Sequence, residues 1–369
     1  MSRSRGGLPL HNESIVIVCE GTETENRYFK ALGELSALEK VDVFPEPSKP
    51  VKKKAKEKRN SAARKLERGE KINGSKKEYI SGVRDESDEM YKKYMSEAIR
   101  WVRAAHLLMH NEGYYEAWAV YDLDQGREKG HEEAFKYIND VENLHIAFSA
   151  YSIEEWFLLH FERNRHPFLC SECKEGAKKK KVNCGIKNCP SPNNCHGEKC
   201  LGGRLREQGY IPEYAKEDGD KYAMMTLDKL HYACVNAAWT RSLSNEPFYK
   251  CNPYSNADKL VMRLLGKSYD IAWVKMDDEF TYGECLLRIE KDEKNIRLVH
   301  VGGKPIVGIS QEQMYWCDEN YTPEQEAFSI DRIVLTTDKK VVEIPNPPIG
   351  LTILCMREIG GKEYYIECN

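Results

Sequence analysis

The sequence predicts an α/β chain: a mostly parallel, doubly wound sheet in roughly the first 267 residues, then a smaller β-rich domain over residues 268–369. Three observations predict this. Residues 14–19, Ser-Ile-Val-Ile-Val-Cys, form a continuous β-branched run of the kind that suits a strand buried on both faces. Strand-like and helix-like stretches then alternate as far as residue 161. Beyond about residue 269 the pattern changes to short β runs separated by Gly302-Gly303, Asp338-Lys339 and Gly360-Gly361.

In order along the chain, the first strand ends in Glu20-Gly21. Residues 23–32 read as a helix with Tyr28, Phe29 and Leu32 on one side, and residues 41–44 as a second strand. Residues 49–77 carry 13 Lys/Arg against 3 Glu, although the whole chain has a net charge of only −3. Such a run is usually a solvated face; its place as an insertion favours contact with a phosphate backbone. A helix bearing Trp101, Val102, Ala105, Leu108 and Met109 follows, then a strand at 117–123, a helix at 132–140, a strand at 145–148 and a buried helix at 153–161. Helical stretches are expected at 222–241 and 256–265, and strands at 285–289, 296–301, 332–336, 340–343 and 351–357.

No apolar run reaches the ~18 residues of a membrane span, and the first residues lack the apolar core of a secretory signal, so the sequence predicts a cytoplasmic protein. In that compartment the 13 cysteines read as thiols or metal ligands. Seven soft ligands fall within residues 170–200: Cys170, Cys173, Cys184, Cys189, Cys195, His196 and Cys200. With few apolar residues around them, they point to a structural Zn²⁺ insertion of one site or two; the competing reading is a loop of free thiols.

Chemistry concentrates at two strand ends. Glu20 closes the first strand, and Asp122 and Asp124 close the strand Ala-Val-Tyr-Asp-Leu-Asp. Alternate strand residues point the same way, so the Asp-x-Asp pair can face one cation, outside the carboxyl ends of the strands where α/β sheets bind ligands. Hard carboxylate ligands suit Mg²⁺ or Mn²⁺, which would stabilise phosphodiester charge and activate water. Spacing alone more often gives a plain Glu-Gly turn and an Asp-x-Asp helix cap.

Four ordered blocks add a resemblance. IVIVCEGTETENRYFKAL (15–32), AWAVYDLD (117–124), FSAYSIEEWFLLHF (148–161) and NPYSNADKLVMRLL (252–265) resemble the RloB/AbiL family of phage-defence proteins, over roughly residues 13–267. The resemblance implies a Toprim-like domain with Glu20, Asp122 and Asp124 as metal-binding catalytic residues. It adds Glu154, preferred to Glu155 by position, as a fourth catalytic carboxylate. Glu25 is implied as a second-metal or water-positioning residue, or is simply a first-turn carboxylate favoured by the helix dipole. Lys216, in Glu-Tyr-Ala-Lys, matches a phosphate-touching lysine. One departure stands out, because the family's Asn-Pro before the glutamate is Ala150-Tyr151 here. His160 also matches a family histidine but reads as a hydrogen-bonded core residue.

The resemblance therefore implies a metal-dependent nuclease that cuts RNA, tRNA being one candidate, or DNA, in anti-phage defence beside a partner ATPase. The chain itself has no Gly-x₄-Gly-Lys-Ser/Thr loop. The alternative is a non-catalytic adaptor that keeps the scaffold to bind nucleic acid or an ATPase. Strand transfer and primer synthesis lack a topoisomerase-like Tyr context and an N-terminal primase-like zinc domain.

Overall fold

The computed structural model of the chain describes residues 14–45, 97–123, 128–168, 171, 200–267, 270–292, 295–304, 308–327, 332–336 and 338–368. The basic segment 49–77, Asp124 and the candidate zinc ligands Cys170, Cys173, Cys184, Cys189, Cys195 and His196 lie outside them. The chain divides into two compact units: Met1–Asp228 with Glu246–Lys267, and Lys229–Asn245 with Ser268–Asn369.

In the first unit, five strands form one sheet in the order β2-β1-β3-β4-β5. They are β1 (Ser14–Cys19), β2 (Lys40–Phe44), β3 (Glu116–Asp122), β4 (Leu144–Ala150) and β5 (Tyr254–Ser255). The first four run parallel, and β5 pairs antiparallel with the end of β4. Asn256 extends this edge, its Oδ1 accepting from Phe148 N at 2.6 Å and its Nδ2 donating to Ile146 O at 3.1 Å. The order of strands reverses between β1 and β3, which creates the switch-point crevice at their carboxyl ends.

The β-branched run of β1 is buried because both sheet faces are covered. Val16 and Val18 pack with Trp101, Val102 and Ala105 of α2 (Glu97–Glu112) and with Ala134 of α3 (Glu128–Asn139). Ile15 and Ile17 alternate to the opposite face and are equally buried. The sheet also packs α1 (Thr24–Glu34), α4 (Ile153–Leu158) and α8 (Ala257–Leu264). Tyr28, Phe29 and Leu32 are the buried face of α1, as the sequence predicts.

The helix expected over 222–241 is two helices. In the first unit α6 (Gly219–Met225) ends where Thr226 Oγ1 donates to Tyr222 O at 2.7 Å. After a 3-10 turn, α7 (Leu230–Ser242) belongs to the second unit, as do residues 229–245 generally, although the sequence places that unit's start at 268. A short helix, α5 (Leu201–Glu207), follows the cysteine-rich segment.

The second unit is β-rich. Its five-stranded sheet runs β12-β11-β15-β16-β6, and a four-stranded sheet runs β14-β9-β8-β7. The strands are β6 (Asp270–Val274), β7 (Glu279–Tyr282), β8 (Cys285–Lys291), β9 (Ile296–Gly303), β11 (Met314–Cys317), β12 (Pro323–Glu326), β14 (Val341–Ile344), β15 (Ile353–Arg357) and β16 (Lys362–Glu367); the short β10 (Ile309–Ser310) and β13 (Arg332–Ile333) pair separately. Leu287, Ile289, Leu298, Trp316, Leu354 and Ile366 interdigitate in one core between the two larger sheets. The other face of the five-stranded sheet carries a buried polar network with α7. Glu363 accepts from Arg357 Nε at 2.8 Å and Tyr365 OH at 2.9 Å, with His231 Nε2 at 2.9 Å.

Among the described residues no helix is long and apolar enough to cross a membrane.

Candidate active site at the switch point

Glu20 follows β1, and its backbone N–H still pairs with Val120 O of β3 at 2.8 Å. That register brings Glu20 beside the end of β3, where its Oε2 accepts the Asp122 N–H at 3.1 Å. Two of the three acids named from strand-end position, Glu20 and Asp122, therefore meet.

Glu25 joins them from the first turn of α1 and is only 8% exposed. Its carboxylate lies against Gly21, where a Cβ would sit 2.3 Å from Glu25 Oε2, so a side chain at residue 21 would push the Glu25 carboxylate from this position. Burial and the charges of Glu25, Glu20 and Glu154 push the Asp122 carboxyl well above its ordinary range. Burial and the charge of Glu154 raise Glu25 as well, while Lys216 pulls against both shifts. Buried Cys19 feels the same field, its thiol raised by burial, Glu25 and Asp122.

Glu154 and Glu155 are adjacent, both buried, and differently placed. Glu155 is held by Asn164 Nδ2 at 3.1 and 3.0 Å, and burial pushes it well up. Glu154 instead belongs to the acidic cluster. Its Oε2 accepts a short hydrogen bond from Ser152, its Oε1 one from Tyr214, and Lys216 Nζ stands 3.5 Å from Oε1. Burial raises Glu154, but Lys216 and the two hydroxyls outweigh it and hold the carboxyl below its ordinary value. Lys216 Nζ also donates to Ser171 Oγ at 3.0 Å, and its carbonyl accepts from Thr24 Oγ1 at 2.8 Å. Gly219 lets α6 close on α1 at this point, since a Cβ there would lie 2.2 Å from Thr24 O.

The structure thus gathers Glu20, Glu25, Asp122, Glu154 and Lys216 into one site. Asp124 lies outside the described residues. His160 packs edge-on against Trp156 at 4.5 Å, with Nδ1 2.9 Å from Trp156 O, inside the core. Of the cysteine-rich candidates only Cys200 is described; it is buried and caps α5, its Sγ accepting the Gly203 N–H at 3.1 Å. Among the described residues no group of three or more His, Cys, Asp or Glu side chains is arranged as a metal shell.

Sequence reasoning missed Ser152 and Tyr214. The signal for Tyr214 was its place two residues before Lys216, since Ala215 between them is extended, with φ −142° and ψ 138°. Alternation then turns both side chains to one side.

A family model described as RloB-like protein matches residues 15–264. Neither the comparison with curated proteins nor that with solved structures gives a match. The matched span covers every described residue of the acidic site and well over half of the 369 residues, and the chain belongs to the RloB-like family.

Proposed function

We propose that this chain is a metal-dependent nuclease of the Toprim type that cuts RNA or DNA phosphodiester bonds at the switch-point acids. The observation that carries this reading is the meeting of Glu20, Glu25, Asp122 and Glu154 beside one lysine at the carboxyl ends of parallel strands. Structural carboxylates are normally paired with donors. Here Asp122 and Glu25 face other acids, an arrangement that costs stability and that a divalent ion relieves.

The donor set fits Mg²⁺ or Mn²⁺ in chemistry, being all oxygen, with Glu20, Asp122 and Asp124 as its holders. When bound, such an ion would supply charge neutralisation for the phosphodiester and a water of lowered pKa. The chain's own groups do the rest. Glu20 fixes the end of β3 by accepting the Asp122 N–H. Lys216 brings the positive charge that balances the acids and can meet a phosphate.

Structural Zn²⁺ on Cys170, Cys173, Cys184, Cys189, Cys195, His196 and Cys200 is part of the same proposal. The amide donated to Cys200 Sγ is an environment compatible with a thiolate ligand. The resemblance to phage-defence proteins supports an anti-phage role and a partner ATPase.

One rival is a nucleic-acid-binding or ATPase-binding adaptor whose acids take no metal, a reading favoured by the lack of a three-carboxylate metal shell among the described residues. Incubation of the full chain with RNA and DNA pools, with Mg²⁺, Mn²⁺ or EDTA, separates the two. Metal-dependent cleavage lost in Glu20→Ala and Asp122→Ala supports the nuclease. Binding that both variants retain, with no cleavage even when a partner ATPase is supplied, supports the adaptor.

A further inference from the structure

Glu154, assigned by resemblance to the catalytic acids, has different surroundings from Glu20 and Asp122. Two hydroxyls donate to it, Ser152 to Oε2 and Tyr214 to Oε1, and both bonds are short. Lys216 Nζ faces the same Oε1 at 3.5 Å, longer than the ~2.7–2.9 Å of a charge-assisted hydrogen bond. Its nearer partner is Ser171 Oγ at 3.0 Å, and about 40% of its side chain remains exposed.

This arrangement is rigidly built. Tyr214 is 3% exposed and stacks on Tyr222 with ring centroids 5.2 Å apart. The Tyr222 hydroxyl donates to Ala215 O at 2.9 Å and accepts from Ala215 N at 2.7 Å, which fixes the residue between Tyr214 and Lys216. Arg206 Nη1 donates to Tyr214 O at 2.7 Å, and a Cβ on Gly202 would sit 3.2 Å from the Tyr214 ring. The extended Tyr-Ala-Lys segment is therefore clamped from three sides, with a hydroxyl and an ammonium directed at one carboxylate oxygen.

We propose that Tyr214 is a positioning residue: by occupying Glu154 Oε1 it keeps Lys216 from collapsing onto that oxygen and sets the ammonium where a substrate phosphate group meets it. Glu154 then acts through Lys216 and is not a metal ligand. This rests on the nuclease reading for its substrate, a phosphodiester, but its geometry is independent of any metal. Without the hydroxyl, Lys216 becomes the donor left for Oε1 and is drawn down into the ion pair. Ser152 plays the same part at Oε2 with less leverage on Lys216.

The test avoids charge changes at Glu154 itself, which would alter phosphate binding by simple repulsion. Affinity for labelled single-stranded RNA and DNA oligonucleotides is measured in EDTA for the full chain, Tyr214→Phe, Ser152→Ala, Lys216→Met and the Tyr214→Phe/Lys216→Met double variant. Lys216→Met should weaken binding by about three- to tenfold and lower the salt slope by about one. Tyr214→Phe should weaken it about threefold, and the double variant should bind no more weakly than Lys216→Met alone. No change in Tyr214→Phe, losses that multiply in the double variant, or no oligonucleotide binding by the unmodified chain overturns the proposal. Should Tyr214→Phe melt below the assay temperature, Ser152→Ala in the same cycle decides. Mn²⁺ affinity gives the second readout. Tyr214→Phe should retain it within about threefold where Asp122→Asn loses about tenfold or more. An equal loss in both would make Glu154 a ligand and overturn the assignment. If the unmodified chain neither binds Mn²⁺ nor cuts, the nuclease reading falls, while the oligonucleotide cycle still decides the role of Tyr214.

Discussion

The two units bury acids in opposite ways. In the second, Glu363 is 5% exposed, and His231, Tyr365 and Arg357 surround it with hydrogen bonds of 2.7–2.9 Å. Burial alone would raise its carboxyl, but His231, Tyr365 and Arg357 outweigh burial and hold it below the ordinary value. In the first unit, Asp122 sits among Glu20, Glu25 and Glu154, and burial and these charges add in the same direction. A buried acid with its donors matched is what a fold builds for itself. A group of acids left to repel one another is a cost the fold bears for another purpose, and a strand-end crevice is where that purpose is usually ligand binding.

The largest stability effect should come from breaking the matched acid. Glu363→Gln leaves Arg357 and His231 facing a neutral partner and should destabilise the second unit by about 3 kcal/mol, read as a lower denaturation midpoint. The sign with pH follows from the lowered carboxyl. Its stabilisation is present above the ordinary value of 4.5 and lost as pH falls through the lower folded value, so variant and parent should converge in acid.

A smaller loss is expected at the close approach that places Lys216. Ala in place of Gly219 would gain up to ~1 kcal/mol in helix propensity, but its Cβ would meet Thr24 O at 2.2 Å. Such overpacking costs about 1–3 kcal/mol, so Gly219→Ala should lower the melting temperature on balance.

The smallest effect has the opposite sign and sharpens the contrast most. Asp122 is raised in the folded state, so the native protein binds more protons than the unfolded chain from about pH 3.8 upward, and stability falls across that window. Asp122→Asn removes the repulsion and should raise the melting temperature at neutral pH by a few degrees, about 1 kcal/mol, in EDTA. A fall in melting temperature would mean that the acids are matched after all.

What was legible in the sequence followed from local pattern. The β-branched run gave β1, alternation with helices gave the parallel order, and Glu20 and Asp122 were readable because both close strands that the register places side by side. Glu25 was named from its resemblance-bearing block but with a helix-dipole alternative, and its approach to Gly21 and the charge it exerts on Asp122 place it with the acids. Tyr214 and Ser152 lay in stretches read for other residues, and their shared target, Glu154, is distant from Tyr214 in sequence. The helical stretch expected over 222–241 is divided in two for a similar reason. Periodicity continues across Thr226, but the side chain of Thr226 closes one helix, and the next packs its Trp239 against Trp273 of the sheet in its own, second unit. Long-range partners of this kind leave no trace in a local window.

Titration of the full-length protein with Mn²⁺ by calorimetry, beside Asp122→Asn and Glu363→Gln, tests the central claim most directly. The unmodified chain should bind Mn²⁺, Asp122→Asn should lose at least about tenfold in affinity, and Glu363→Gln should bind as the parent does. Equal Mn²⁺ affinity in the parent and Asp122→Asn would contradict that claim.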